Sequence, residues 1–531
     1  MAHAALRVAR AGANRALRKM GTPNELVNAN PAEHALGRIF DSAPIRILAL
    51  LLLLTAAPVY AAFSSNTALF NGDIWWHLRT GLWILQNHSI PRSGLFSQYV
   101  NRPWVDSSWG FDVLTAGASK LLSLRAFPVL LMSFKLALAA VTFLLARGRH
   151  GNFWCAVLLS AIAQYVIVDL LPLPVLSSIL FFAVELVLLL QSRRCNDLRP
   201  LYWLPVLFFF WANLHGQFLN GLLLLGLYLA AEVTEYLLHI SGVSAFSAPA
   251  HSLAKVAAIA GLSVIATLLT PYSFQLFKGA FETAYGKVLF ENFQEMQAFA
   301  FRRPQHFVLL LLVMAAFLAL GRQRSRDLFK LSVISIFVML TFRVQRDVWC
   351  VVFPAIAVIA DAVAGWQHEP ELRKSGRRSK QTWKWETPLL AVLVLVVFLA
   401  AAIRIPGSEA LMNQVSRVFP VKACDFIRAN QLPGPMFNAY SWGGFLTWYL
   451  PEYPVSIDGR LNLYGDEINE RYFKVIDGTQ RLETDPGFTG ARIILLERDS
   501  GMLKALTTLP ALREQFRVAY QDDVAAVVVR Q

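Results

Sequence analysis

Residues 64–81 read S-S-N-T-A-L-F-N-G-D-I-W-W-H-L-R-T-G, and the same connection carries N-R-P-W-V-D-S-S-W-G-F-D at 101–112. It lies between an apolar run at 45–63 and the next long one at 126–146. An acid and an imidazole stand four apart (Asp73, His77), two tryptophans are adjacent (Trp75, Trp76), and further acids follow at Asp106 and Asp112. A polar, aromatic, acid-bearing loop pinned between segments made for lipid is where chemistry is expected.

The flanking composition explains why those segments belong in lipid. The 531 residues are 56% hydrophobic and only 16% charged, with a mean hydropathy of +0.46. A soluble chain would carry about 25% charged residues. Crossing a bilayer takes about 20 apolar residues, and eleven runs approach that length: 45–63, 126–146, 153–170, 172–191, 201–213, 217–238, 253–270, 306–320, 328–342, 347–364 and 388–403. The expected class is a polytopic α-helical membrane protein.

The net charge of +14 does not argue for nucleic acid, because its lysines and arginines sit in short loops between spans. With the N-terminus inside, the loops 147–152, 192–200, 239–252, 321–327 and 365–387 are cytoplasmic, and four of the five are clearly basic. The charge rule for membrane loops selects that orientation. The basic N-terminal residues 1–44 then precede a signal anchor rather than a cleaved peptide. An odd number of spans places the C-terminus outside. The acid-bearing loop, the turn Asn213-Leu214-His215-Gly216, the stretch 271–305 and the turn holding Arg343 and Arg346 fall on that same outer side. Cys155, Cys195, Cys350 and Cys424 have neither metal-site nor redox spacing.

Within the first outer loop, 110–124 reads as an amphipathic helix on the membrane surface, and 271–305 as mostly helical and interfacial. From about Pro406 the composition becomes that of a soluble domain, so residues 405–531 are expected to form an extracytoplasmic α/β domain. Strands are expected at 435–438, 453–457 and 492–497, helices at 421–430, 465–476 and 501–509, and a hairpin from 516–520 and 524–530. The transmembrane domain is expected to run over 45–404.

Asp73 leads the candidates for chemistry. A carboxylate at a membrane face can deprotonate an acceptor hydroxyl or hold a divalent metal against phosphate oxygens, or it can cap the helix that follows. His77, one turn on, reaches the same cavity. Trp75 and Trp76 suit an interfacial belt more readily than a sugar platform. Asp106 is a second acid or a cap. His215 contacts substrate or satisfies backbone groups. Arg343 and Arg346 are placed to hold a lipid phosphate, or to pair with Asp347. Trp442-Gly443-Gly444 and Asp458-Gly459-Arg460 read as turns, the second braced by its own charges.

Taken together, G-D-I-W-W-H-L-R-T-G in the first outer loop, W-A-N-L-H-G-Q-F later, and W-G-G-F-L and I-D-G-R in the outer domain resemble bacterial membrane proteins related to the GT-C glycosyltransferases. That group includes protein O-mannosyltransferases, the aminoarabinose transferase of lipid A and the oligosaccharyltransferase catalytic subunit. The resemblance implies an inverting hexosyltransferase at the outer face of the bacterial inner membrane. It would draw on a polyprenyl-phosphate-linked sugar and deliver to a glycan, lipid or protein acceptor. The family's acidic residue of the first outer loop, base or metal ligand, maps onto Asp73. His77 joins it as catalytic, with Trp76, Asp106, His215, Arg343 and Arg346 as substrate contacts. The resemblance leaves room for a divalent cation, magnesium or manganese. The second of the two adjacent acids common in the mannosyltransferase-like branch is Ile74 here, which counts against it.

Two other classes stay open at this point: a transporter or flippase for lipid-linked glycan, and a non-enzymatic envelope assembly protein. A transporter would show polar groups through the midplane. Glu185 and Asp169 are the acids within or ending apolar runs, and both are expected near helix ends.

Overall fold

The computed structural model describes residues 42–148, 152–243, 252–371 and 386–531. The expected cytoplasmic N-terminus, most of the basic 365–387 loop and parts of the 147–152 and 239–252 loops lie outside the described residues. The chain divides into two compact units. One takes in 1–52 and 381–393, where the described residues are almost all helical. The other takes in 53–380 and 394–531.

The helices run α1 Ala43–Phe63, α2 Asp73–Asn87, α3 Trp109–Leu122, α4 Ala126–Arg147, α5 Phe153–Val166, α6 Val175–Cys195, α7 Leu204–Leu214, α8 Phe218–Ile240, α9 Leu253–Thr267, α10 Phe274–Tyr285, α11 Lys287–Asn292, α12 Pro304–Arg322, α13 Leu328–Arg343, α14 Trp349–Glu371 and α15 Glu386–Arg404. Each expected span falls on one of them; the extra four (α2, α3, α10, α11) lie in the two long loops. Among the described residues 7 stretches are long and apolar enough to cross a membrane, so the chain is a multi-pass helical membrane protein. The α5, α7, α9 and α13 helices are shorter, at 14, 11, 15 and 16 residues. The Asn152 and Asp327 side chains cap α5 and α13 by accepting backbone N–H bonds. Large aromatics, among them Phe182, Trp211, Phe337 and Trp349, fill the bundle core.

Glu185 departs from expectation. It sits midway along α6, fully buried, and neither carboxylate oxygen has a partner among the described residues.

The C-terminal part adds α16 Ser408–Val415, α17 Val421–Ala429, β1 Met436–Asn438, α18 Tyr440–Tyr449, α19 Leu461–Ile476, α20 Pro486–Thr489, β2 Ile493–Glu497, α21 Gly501–Thr508, α22 Pro510–Arg513, β3 Phe516–Gln521 and β4 Ala525–Arg530. The sheet order is β1-β2-β4-β3, with β1 and β2 parallel and the β2–β4 and β3–β4 pairs antiparallel. Register sets Phe437 against Ile494 and Ile494 against Val528. Alternate residues feed two cores. Met436, Ile493, Leu495 and Val527 join Trp75, Phe419 and Phe445 on one face. Phe437, Ile494, Leu496 and Val528 join Trp76, Trp104 and Tyr464 on the other. Burial on both faces is why β2 and β4 read as unbroken apolar runs.

Two local expectations fail. Residues 453–457 form no strand: Val455 makes an isolated parallel bridge to Ser97, and Ser456 N–H and Ile457 C=O are bound by the buried Asn438 side chain. Residues 442–444 are not a turn but the interior of α18.

Candidate active site

The site begins where α2 begins. The Asn71 side-chain oxygen accepts the Asp73 N–H at 2.7 Å, and the helix starts at Asp73 itself. Asp73 is therefore not the cap. Its carboxylate stands in the first turn, where the partial positive charge of a helix start favours an anion, and accepts the Trp76 indole N–H at 3.2 Å.

What packs around it comes from far along the chain. A Cβ on Gly444 of α18 would overlap the Gly72 carbonyl oxygen, and one on Gly443 would overlap the Ile457 carbonyl oxygen. A Cβ on Gly459 would overlap Asp73 Oδ1. The N-G-D, W-G-G and I-D-G-R motifs thus meet at one point, and their glycines are bare because backbones touch there.

The adjacent tryptophans serve this packing rather than a membrane belt. Trp75 is fully buried among Phe127, Phe419, Phe445 and Trp448. Trp76 faces the other way, onto the His77 ring at 3.5 Å and edge-on to Trp104. With its indole bonded to Asp73 and only 8% of the residue exposed, it holds the acid.

Behind the acid lies a buried polar row. His77 Nδ1 shares a 2.6 Å hydrogen bond with Asp112 Oδ1, across the tight contact of α2 with α3. Asp106 is 1% exposed and accepts the Ser108 N–H through Oδ1, while Oδ2 has no partner among the described residues. His215 Nδ1 bonds Ser178 Oγ at 2.7 Å, and the same hydroxyl accepts the Trp211 indole N–H.

Burial sets the protonation of these groups. It pushes the Asp73 carboxyl above its ordinary range; His77, when protonated, and the Trp76 bond oppose this, while Asp458 and Glu295 add to it. Burial pulls His77 down to about 4, against the attraction of Asp106 and Asp73. It pushes Asp106 well up, helped by the Asp112 carboxyl, and holds His215 well down, helped by the Arg346 charge.

Arg346 and Glu295 approach from the bundle side. They pair at 3.6 Å, and their two 3-10 turns are joined by a 3.0 Å bond from Gln345 N–H to the Gln297 carbonyl. Both line a cavity of about 530 Å³ whose walls include Val175, Ile179 and Trp349, with Arg303 at its polar end. Arg343 is elsewhere: it is exposed, and its guanidinium lies over the Phe290 ring at 5.7 Å. Asp347 accepts from Gln217 at 2.8 Å.

Bonds and ring contacts bring Asp73, Trp76 and His77 together; Asp106, His215 and Arg346 are tied to them through charge interactions, and Arg343 stands apart. Sequence reasoning gave no role to Asp112 or Glu295 and read Gly459 only as a turn residue. The signal for Gly459 was present in the I-D-G-R motif; Glu295 carried none beyond its charge.

No group of three or more His, Cys, Asp or Glu side chains is placed to hold a metal among the described residues. With a lone acid at 73 and isoleucine at 74, the donor set does not fit a divalent cation.

Neither a protein-family model nor a curated protein matches the chain. Among solved structures it is similar to the Archaeoglobus fulgidus oligosaccharyltransferase tethered with an acceptor peptide, at 12% identity and a TM-score of 0.49, over 86% of this chain and 69% of that one. It is similar to AglB, the oligosaccharyltransferase of that archaeon, in complex with an inhibitory peptide and a dolichol-phosphate, at 11% and 0.47 over 84% and 69%. ArnT from Cupriavidus metallidurans in the apo state is matched at 14% and 0.42, over 90% and 97%. At these scores the function is read from the geometry of the site.

Proposed function

We propose that the protein is an inverting GT-C-type membrane glycosyltransferase that moves a sugar from a polyprenyl-phosphate-linked donor to an envelope acceptor at the outer face of the inner membrane. One observation carries this reading. A half-buried carboxylate of raised proton affinity, Asp73, stands where three motifs meet, electrostatically coupled to Glu295 of a cavity with apolar walls and guanidinium groups.

An acceptor hydroxyl gives its proton to Asp73. The hydroxyl oxygen bonds the anomeric carbon from the face opposite the lipid phosphate. The bond between that carbon and the phosphate oxygen breaks, its electron pair leaving with the phosphate. A base of raised affinity takes the proton more readily near neutral pH. Arg346 meets the charge growing on the phosphate, and the apolar wall takes the prenyl chain. His215 and neutral His77 orient substrate through Nε2, their Nδ1 atoms being bonded to Ser178 and Asp112. No step is routed through a metal.

The test is transfer from a labelled polyprenyl-phosphate sugar in membranes. Asp73→Asn should lower the rate at least ~100-fold, the usual scale for losing a general base. Wild-type transfer by this variant would remove Asp73 from the mechanism.

Glu185 supports a second reading, a flippase for lipid-linked glycan, because an unpaired acid at membrane depth is common in transport paths. That reading requires Glu185→Gln to abolish flipping of a fluorescent polyprenyl-phosphate sugar in proteoliposomes; unchanged flipping sinks it.

A further inference from the structure

Two buried charges adjoin the candidate base without joining the chemistry. Asp458 and Arg460 pair at 2.6 Å with both side chains fully buried. Arg460 Nε reaches Asp458 Oδ1 and Oδ2 at 3.0 and 3.1 Å, and the Arg460 N–H reaches Oδ1 at 2.9 Å. Nη1 donates to the Leu95 carbonyl at 2.7 Å, and the guanidinium lies 4.9 Å over the Trp104 ring. Asn462 then accepts the Trp104 indole N–H at 3.1 Å and donates to the Val105 carbonyl at 2.9 Å. The first outer loop is thereby clasped to residues 458–462.

Stability alone is a weak reason for such a pair, since apolar replacements of buried ion pairs are often neutral or better. Its location supplies another reason. Gly459 lies between the two charges, and its bare Cα is what Asp73 Oδ1 sits against. We infer that Asp458-Gly459-Arg460 is the positioning element for Asp73: the buried ion pair fixes the backbone, and Gly459 is the seat on which the carboxylate is held. This deepens the reading of Asp73 as base, and depends on that reading only for its effect on transfer.

A brace that merely stabilised the loop would change melting and nothing else. A positioning element one residue from the acid also changes the field at the acid. The Asp458 charge already favours the protonated form of Asp73, and Arg460 neutralises Asp458. Removing either charge alone should therefore shift Asp73 in opposite senses.

The experiment uses the full-length protein in nanodiscs, a water-soluble carbodiimide with an amine, and peptide mass spectrometry at Asp73 across pH. Carbodiimide reacts with the protonated carboxyl, so the pH at half-labelling reports its proton affinity. Arg460→Gln should raise that midpoint by about one pH unit or more, Asp458→Asn should lower it, and the double variant should return it towards wild type. Arg460→Lys, which keeps the charge without the fork, should lie between wild type and Arg460→Gln. If one single variant does not fold, the other and the double still give a signed result. Equal midpoints in every folded variant would overturn the inference. So would an Asp73 unlabelled at all pH values, because the acid would then be sealed rather than presented. Labelling does not require transfer. Shifted midpoints with an active Asp73→Asn would sink the base and leave the positioning element standing; unmoved midpoints with an inactive Asp73→Asn would do the reverse.

Discussion

Asp73 and His77 share one turn of α2, and burial pushes them in opposite directions. It favours the neutral form of each, which is the protonated acid and the deprotonated imidazole. For His77 the sign follows from linkage. Its folded value of about 4 lies below the ordinary 6.5, so between those values the unfolded chain binds more protons. The stability due to neutral His77 is complete above pH 6.5 and is lost as pH falls towards 4. Asp73 and Asp106, pushed upward, contribute the opposite slope. The informative quantity is therefore wild type minus His77→Gln, followed by thermal unfolding in detergent. That difference should shrink by ~3 kcal/mol from pH 7 to pH 4. A difference independent of pH would show that His77 is not held neutral. At this scale the sequence marks Asp73 and His77 clearly, because an acid and an imidazole one helical turn apart are visible in the string. Arg343 and Arg346 look equivalent in the string. Whether a guanidinium turns into a cavity or over Phe290 depends on the fold of 287–296, which the charge pattern does not contain.

The α2 helix packs on α18 and on the core beside the C-terminal sheet. Its paired tryptophans part company, Trp75 into the core on one face of the sheet and Trp76 into the core on the other. Trp75→Ala should cost ~3–5 kcal/mol in detergent unfolding, the range for emptying a large buried aromatic site. A loss below 1 kcal/mol would mean that this helix is not anchored there. The tryptophans looked like belt residues because the string shows a polar loop beside a membrane span and says nothing of a sheet contributed from beyond residue 430. The Gly443–Gly444 pair was misread for a related reason. Glycines lower helix propensity and ordinarily signal turns, but here they admit Gly72 on one side and Ile457 on the other. Residues 453–457 have strand composition, yet the edge beside β1 is met through the Asn438 side chain and Ser97 instead.

At the scale of the whole molecule, long apolar runs made all eleven helices of the expected spans legible, and short apolar runs bounded by turn residues located β1, β2 and the β3–β4 hairpin. Sidedness rests on the distribution of arginine and lysine. Thr479 is exposed in the C-terminal part and Gln323 is exposed between α12 and α13. In spheroplasts an impermeant maleimide should label Thr479→Cys and spare Gln323→Cys; the reverse pattern would turn the molecule over. The meeting of three distant motifs at Asp73 was not legible, because each motif alone reads as a turn or a cap. The most direct measurement is a structure of the protein in nanodiscs with a polyprenyl-phosphonate sugar, an analogue that cannot transfer. The phosphonate should lie against Arg346, the prenyl chain along Val175 and Ile179, and the anomeric carbon facing Asp73. Donor bound elsewhere, with Asp73 still closed against Gly459 and no sugar before it, would contradict the account.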